Sequence, residues 1–125
     1  MRSSIIPTLT EIEEEIISLL IDVGLKKDEA RLLMVFFRGL EQTSRDLERI
    51  CELRQPEVSN AIMSLTKRNW IFISCLNTGH VGRPENIYAL KKTPDAILDE
   101  IKDGISAGHE QQVMMIRKII EIIRG

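Results

Sequence analysis

Apolar residues recur in the first third of this chain at the spacing that places them on one face of a helix. The spaced apolar residues of the first stretch are Ile12, Ile16, Leu19, Leu20 and Val23. A second stretch, at about residues 28–38, has one apolar face formed by Ala30, Leu33, Met34 and Phe37. This second face is typical of a hydrophobic core, although a Met/Phe stripe can also line a ligand pocket. The pattern therefore predicts two N-terminal helices.

Capping residues mark where the predicted helices begin and end. Thr10 and Thr43 each stand three residues before an acidic residue, Glu13 and Asp46. This spacing is typical of a capping box, in which each side chain of the pair binds the other residue's backbone N–H. Glycine and asparagine adopt the left-handed backbone conformation easily, and we expect three helices to end at Gly24, Gly39 and Asn69.

The middle of the chain predicts two helices joined by a short turn at Leu53-Arg54. The first begins at Thr43 and turns Leu47 and Ile50 inward. The second covers about residues 56–68, and Pro56 suits its first position because the missing N–H of proline has no helical partner there. The predicted buried face of this second helix consists of Val58, Ala61, Ile62 and Leu65.

A β-hairpin is predicted to follow these two helices. Residues 70–73 and 87–90 are rich in β-branched and aromatic side chains, as strands are. Turn-forming residues lie between them, including Gly82-Arg83-Pro84, so the loop spans about residues 76–84. The order of helix, turn, helix and hairpin is that of a winged helix-turn-helix, which presents one helix to the DNA major groove and the hairpin loop, or wing, to the flanking backbone.

A long helical pattern runs from Thr93-Pro94-Asp95 to the end of the chain. Its heptad-like apolar positions are Leu98, Ile101, Ile105, Ile116, Ile119 and Ile123. Residues 104–108 interrupt the pattern, either as a break or as a stretch of small residues that lets two helices approach closely. A helix this apolar requires a partner, either the chain's own N-terminal helices or a second copy.

The predicted fold class is mainly α with a small β-hairpin, namely a winged helix-turn-helix domain plus a long C-terminal helix. We expect an N-terminal arm at residues 1–9, a DNA-binding domain at 10–92 and a dimerisation helix at 93–125. The chain has 125 residues, of which 43% are apolar, enough for one hydrophobic core. It shows neither a membrane-length apolar run nor a leader-like N-terminus, so we expect a soluble, cytoplasmic protein.

Charge is distributed unevenly along the chain. The formal net charge is −2, which by itself does not indicate a nucleic-acid binder. Residues 1–42 hold 5 basic and 8 acidic side chains, whereas residues 43–91 hold 7 basic and 5 acidic ones. Residues 92–125 hold 5 basic and 6 acidic side chains. The small positive excess therefore coincides with the predicted DNA-reading unit.

Other chemistries find little support in the sequence. The acidic run at residues 11–15 suits the first turn of a helix better than a metal site, because no histidine accompanies it. The cysteines and histidines, Cys51, Cys75, His80 and His109, lack paired metal-ligand spacing. Cys51 could sense oxidants, but a buried structural thiol is the simpler interpretation. No nucleophile–base pair or phosphate loop is present, so we expect neither an enzyme nor a cofactor.

The segment from Val23 to Leu90 resembles archaeal and bacterial winged-helix transcriptional regulators of the MarR, TrmB and ArsR-like kind. The resemblance is carried by Glu29-Ala30-Arg31, by residues 43–48 and 53–59, by Arg68-Asn69-Trp70-Ile71, and by Gly82-Arg83-Pro84 leading to Tyr88-Ala89-Leu90. It covers roughly half of the chain. The wing of such regulators is more basic than this one, which has His80 and Arg83 near its tip.

The resemblance implies that the helix at 56–68 enters the major groove with its N-terminal end first. The residues expected to read bases are Gln55, Pro56, Glu57, Ser59, Asn60, Met63 and Ser64. The residues expected to bind phosphates are Thr43, Ser44, Arg45, Lys67, Arg68, His80 and Arg83. The alternative for each of them is an ordinary solvated residue.

Two functions follow from this sequence. The first is a sequence-specific DNA-binding transcriptional regulator that acts as a homodimer through its C-terminal helix, with double-stranded DNA as partner and an effector that the sequence leaves unidentified. The second is a winged-helix protein-interaction module within a transcription or other intracellular assembly. The acidic net charge and the weakly basic wing favour the second function.

Overall fold

The computed structural model describes residues 8–77 and 85–125. Its elements are α1 (Glu11–Asp22), α2 (Lys27–Phe37), β1 (Gln42–Thr43), α3 (Ser44–Cys51), α4 (Gln55–Lys67), β2 (Ile71–Asn77), β3 (Glu85–Leu90) and α5 (Pro94–Arg124). The fold is mainly helical with one small antiparallel sheet, which confirms the predicted fold class. The chain divides into two compact units, residues 1–93 and residues 94–125, and each is described by itself.

The predicted capping boxes are present at the first and third helices. The Thr10 N–H donates to Glu13 Oε1 at 2.9 Å, and the Glu13 N–H donates to Thr10 Oγ1 at 3.1 Å. Thr43 and Asp46 exchange the same two bonds at 3.0 and 3.2 Å. The three predicted helix terminators have positive φ values, at Gly24, Gly39 and Asn69. Local sequence therefore fixes these helix ends.

Helix α2 is the centre of the first unit. It contacts α1, α3, α4 and β3, so it is buried on nearly every side. Its buried apolar side chains are Ala30, Leu32, Leu33, Met34, Val35 and Phe36. The predicted one-sided face is therefore too narrow: Phe37 is only half-buried, whereas its neighbour Phe36 is fully buried. Because neighbouring elements cover α2 from several directions, more of its side chains are buried than one helical face would hold.

Helix α1 packs on α2 through Ile17 and Leu20. An Arg38 side chain at the end of α2 holds the start of α1, because its Nε and Nη2 donate to the two Glu13 carboxylate oxygens at 2.8 Å each. This hydrogen bond from Arg38 lowers the pKa of Glu13 to about 2, against the opposing effect of burial. The pairing raises the pKa of Arg38 in turn. The result is a charge-assisted clamp between two helices.

The sheet has three strands in the order β1-β3-β2. The predicted hairpin is present, and β2 and β3 pair from Ile71 opposite Leu90 to Asn77 opposite Glu85, with a bulge between Ile73 and Cys75. The short strand β1 was not predicted. Strand β1 places Gln42 opposite Tyr88 of β3. The Gln42 side chain is fully buried. The residues of the wing between Asn77 and Glu85 lie outside the described part of the chain.

The second unit is the single helix α5, which has 31 residues. It is unbroken through Gly104 and Gly108, so of the two predicted interpretations of that stretch a break is wrong. Ile97 is its buried residue. Among the predicted dimerisation residues, Ile101 is half-buried and five are exposed, namely Leu98, Ile105, Ile116, Ile119 and Ile123. No helix in the described ranges is long and apolar enough to cross a membrane.

Candidate nucleic-acid interface

Helices α3 and α4 form a helix-turn-helix with a three-residue turn, Glu52 to Arg54. Glu52 ends α3 in the left-handed conformation, with φ 54° and ψ 48°. The Leu53 N–H then bonds to the Glu48 carbonyl at 3.1 Å, which closes the last turn of the helix. This geometry redirects the chain abruptly into α4 and fixes how α4 is held on the core.

The inner face of α4 packs against the core. Its four predicted core residues, Val58, Ala61, Ile62 and Leu65, are all buried. The opposite face is exposed and mainly polar, and it consists of Pro56, Ser59, Asn60, Met63 and Lys67, with Gln55 at its edge. Six of the predicted DNA-contacting residues are thus brought together on one continuous surface of one helix.

Helix α4 begins one residue earlier than predicted, at Gln55, so Pro56 occupies its second position. The Gln55 Nε2 donates to Ser59 Oγ at 2.9 Å, one turn further along the helix. These two side chains therefore lie side by side at the N-terminal end of α4. Met63, 68% exposed, is the one large apolar side chain on the face.

Two predicted base-reading residues, Glu57 and Ser64, make hydrogen bonds to other residues of the chain. Glu57 is half-buried, and its Oε1 accepts the Arg54 N–H at 2.8 Å, which caps the start of α4. Ser64 is half-buried as well, and its hydroxyl donates to the Glu29 carboxylate of α2. Both side chains lie at the border between the exposed and the buried face of α4.

Glu29 is a buried carboxylate that links α2 to α4. Burial alone would raise its pKa, but hydrogen bonds from Ser64 and from the Lys26 N–H, together with the positive charge of Arg68, lower the pKa below its usual range. The Lys26 N–H lies 2.9 Å from Glu29 Oε1, and Arg68 Nη2 lies 3.9 Å from Glu29 Oε2. Glu29 therefore remains ionised and attaches the C-terminal part of α4 to the start of α2.

The predicted phosphate-binding residues differ in burial and in their contacts. Thr43 is buried, and its hydroxyl is used by the capping box of α3. Ser44 is half-buried, whereas Arg45 is exposed at the first turn of α3. At the far end of α4, Lys67 is exposed, and the Arg68 guanidinium lies over the Trp70 ring at 4.8 Å. His80 and Arg83 lie outside the described residues.

One exposed basic residue of α3, Arg49, was missed by the sequence analysis. Arg49 follows Arg45 by four residues on α3, so both side chains lie on the same side of that helix and both are exposed. The Arg49 Nη2 lies 3.3 Å from Asp46 Oδ1. The signal that could have identified it is this four-residue spacing, which adds a second positive charge beside Arg45.

The two cysteines differ in burial. Cys51 is buried, and this burial raises the pKa of its thiol to about 12, so the reactive thiolate does not form near neutral pH. Cys75 is exposed on β2. Within residues 8–77 and 85–125, no three His, Cys, Asp or Glu side chains are grouped so that they could hold a metal ion.

No protein-family model and no curated protein matches this chain. The chain is similar to two solved structures of MepR from S. aureus. One, in a DNA-binding conformation, has 16% identity and a TM-score of 0.47 over 90% of this chain and 88% of that one. The other, a MepR–DNA complex, has 15% identity and a TM-score of 0.46 over 90% of this chain and 92% of that one. Because both TM-scores lie below 0.5, neither likeness supports a function for this chain.

Proposed function

We propose that this chain is a DNA-binding transcription regulator in which α4 lies in the major groove. The observation that carries the proposal is the division of α4 into two faces. One face is buried in the core, and the other presents polar side chains directly after a helix-turn-helix turn. A helix held in this way can enter a groove as a rigid body, with its side chains directed at base edges.

We assign base reading to the first three turns of α4. The amides of Gln55 and Asn60 can each pair with an adenine edge, and the Ser59 hydroxyl can donate or accept. Met63 offers an apolar contact to a thymine methyl group. Glu57 and Ser64, both half-buried, keep their contacts to Arg54 and Glu29 and hold the helix in place.

We assign phosphate contacts to basic residues at both ends of the helix-turn-helix. Arg45 and Arg49 extend from α3, and Lys67 and Arg68 lie at the end of α4. Ser44 would contribute through its N–H at the start of α3. His80 and Arg83 remain proposed contacts of the wing, and Arg83→Ala is expected to weaken binding to all DNA sequences alike and to reduce the salt slope.

We further propose that the chain acts as a homodimer through α5. The exposed isoleucines of α5 support this, because so large an apolar surface is unusual on a monomer. A two-fold dimer would bind a palindromic site whose half-sites are ~34–36 Å apart.

Fluorescence anisotropy tests the DNA-binding proposal. The labelled duplexes are the DNA upstream of the chain's own gene and a random sequence of equal length, each at two salt concentrations. We expect tighter binding to the upstream DNA and affinity that falls steeply with salt. Absence of binding to both duplexes at micromolar protein would contradict the proposal.

A second candidate is a protein-interaction module, and the exposed Met63 on α4 favours it, together with the net charge of −2. If α4 binds a protein, the anisotropy experiment should show no binding to either duplex, whereas a DNA-binding regulator should bind them with an affinity that falls with salt.

A further inference from the structure

Three residues, 68–70, connect α4 to strand β2, and we call them the α4–β2 corner. Asn69 adopts a left-handed backbone conformation with φ 68°, which ends α4 and turns the chain. The Trp70 N–H bonds to the Leu65 carbonyl at 3.1 Å, and the Trp70 carbonyl accepts the Lys91 N–H at 2.8 Å. The corner is therefore bonded both to α4 and to the residue that follows β3.

The first and last residues of the corner also contact each other through their side chains. The Arg68 guanidinium lies 4.8 Å from the centroid of the Trp70 ring, which is a cation–π distance. The ring is buried, whereas the Arg68 side chain is 42% exposed. An exposed arginine has many rotamers, and fixing one of them costs conformational entropy that its contacts must offset. The position of Arg68 therefore depends on what else it touches.

Glu29 of α2 is the second partner of this arginine. Glu29 Oε2 lies 3.9 Å from Arg68 Nη2, and the same oxygen accepts a hydrogen bond from the Ser64 hydroxyl. Glu29 Oε1 accepts the Lys26 N–H at 2.9 Å, which fixes the carboxylate at the start of α2. Because Glu29 is buried, solvent screens its charge less than it would screen the charge of a surface carboxylate.

We infer that Glu29 is a positioning residue for DNA binding. It holds Ser64 on α4 and Arg68 in the corner, and it thereby fixes the angle between α4 and the hairpin. Binding through a helix and a wing at once requires this angle to be constant. The inference rests on the proposed DNA-binding function and adds to it a residue of α2 that does not itself reach the DNA.

The sign of the effect of one substitution tests the inference. Glu29→Gln keeps the length of the side chain and its ability to accept a hydrogen bond, but it removes the charge that attracts Arg68. If Glu29 contributed only its charge to the field at the DNA, its removal would strengthen binding. A positioning role predicts the opposite. We expect Glu29→Gln to bind the upstream duplex about fivefold more weakly than the wild type in fluorescence anisotropy.

A double-mutant cycle shows whether Glu29 acts through Arg68. Its other members are Arg68→Gln and the double variant Glu29→Gln with Arg68→Gln. We expect the double variant to bind as Arg68→Gln does, because the new amide at position 29 can still accept from Ser64. Trp70 is the one tryptophan of the chain, so its fluorescence reports the cation–π contact. Its emission should change in Glu29→Gln in the same direction as in Arg68→Gln.

Glu52→Gln is the matched control for charge, because Glu52 is exposed in the turn before α4. It should bind DNA as tightly as the wild type or slightly more tightly. Circular dichroism checks that each variant is folded at the concentrations used. Glu29→Asp is a second test that keeps the charge and shortens the side chain by one methylene group. A charge effect alone would leave its binding unchanged, whereas a positioning role predicts weaker binding.

The outcomes that overturn the inference differ from the one that overturns the proposed function. If the wild type binds neither duplex, the DNA-binding function itself is wrong. If the wild type binds and a folded Glu29 variant binds as tightly or more tightly, binding does not depend on Glu29. If Glu29→Gln weakens binding by the same factor with and without Arg68, Glu29 does not act through the corner. Arg68→Gln that binds as tightly as the wild type would also overturn the inference, whether or not the Glu29 variants fold.

Discussion

Helices α4 and α5 both expose an extended surface, but the two surfaces have opposite chemistry. The exposed residues of α4 are polar apart from Met63 and Pro56, whereas the exposed C-terminal part of α5 is dominated by isoleucine and methionine. A polar surface remains stable in water without a partner, and an apolar surface does not. The difference supports the proposals that α4 binds a hydrogen-bonding ligand and that α5 binds protein.

The two helices also differ in what fixes them. Core residues hold α4 along its whole inner face, and Glu29 adds a buried polar contact through Ser64. The one buried side chain of α5 is Ile97. A side chain exchanged on the outer face of α4 should therefore affect ligand binding alone, whereas one exchanged on α5 should affect assembly.

The largest expected effect comes from a charge placed in the apolar surface of α5. Ile119→Asp should weaken dimerisation by about 100-fold, because the dimer would bury an unpaired carboxylate. Sedimentation equilibrium measures the change. Gln111→Asp, an exposed polar position on the same helix, serves as the control and should leave the dimer intact. Equal behaviour of the two variants would show that this surface of α5 does not mediate assembly.

The next effect concerns the polar surface of α4. Asn60→Ala should remove about 1–3 kcal/mol of preference for the specific site and leave affinity for random DNA nearly unchanged. Anisotropy titrations with both duplexes measure the ratio of affinities. Thr66→Ala, exposed near the end of the same helix, is the matched control. A uniform loss of affinity for both duplexes would assign Asn60 to the DNA backbone instead.

Acid should weaken the first unit through Glu13. The pKa of Glu13 is lowered from 4.5 to about 2, chiefly by the hydrogen bond from Arg38. Its contribution to stability is therefore complete above pH 4.5 and is lost as the pH falls toward 2. Because solvent screens this pair in part, we expect a contribution of about 1 kcal/mol.

Urea unfolding at pH 7 and pH 3 measures this contribution. Wild type should exceed Glu13→Gln in stability at pH 7, and the difference should shrink at pH 3. Glu14→Gln is the control, since Glu14 is 49% exposed in its pair with Arg31 and should show a smaller effect. A difference between wild type and Glu13→Gln that does not change with pH would contradict the assigned role.

The smallest effect is expected at the turn before α4. Glu52 adopts a left-handed conformation that is unfavourable for a residue with a Cβ atom. Glu52→Gly should therefore stabilise the fold by about 0.5 kcal/mol, after the extra chain entropy of glycine is counted. Asn69→Gly is the comparison, because asparagine already tolerates its φ of 68°. A lower thermal midpoint for Glu52→Gly would indicate that the Glu52 side chain stabilises the turn.

Local patterns in the sequence were sufficient to predict most helices and their ends. The capping boxes at Thr10 and Thr43 depend on residues three positions apart, so the sequence displays them directly. The buried face of α4 was predicted for the same reason, since a helix with one exposed face keeps its periodicity.

The features that sequence reasoning missed depend on distant residues. Strand β1 has two residues and exists because it pairs with β3, more than forty positions later. Ser64 looked like a base reader because its partner, Glu29, lies 35 residues earlier. Ile12 and Leu19 of α1 have the periodicity of a core face but are exposed, and spacing alone cannot distinguish the two.

The α4 side chains differ in whether they support the core, and this difference affects how the sequence of the protein can change during evolution. Asn60, Met63 and Lys67 lie on the exposed face and support no part of the core. Under the proposed function, substitutions there would alter what the helix prefers to bind, with little penalty in folding. Ser64, in contrast, is tied to Glu29, so the two residues should change together. Binding preference can therefore diverge among descendants of this chain while the scaffold stays constant.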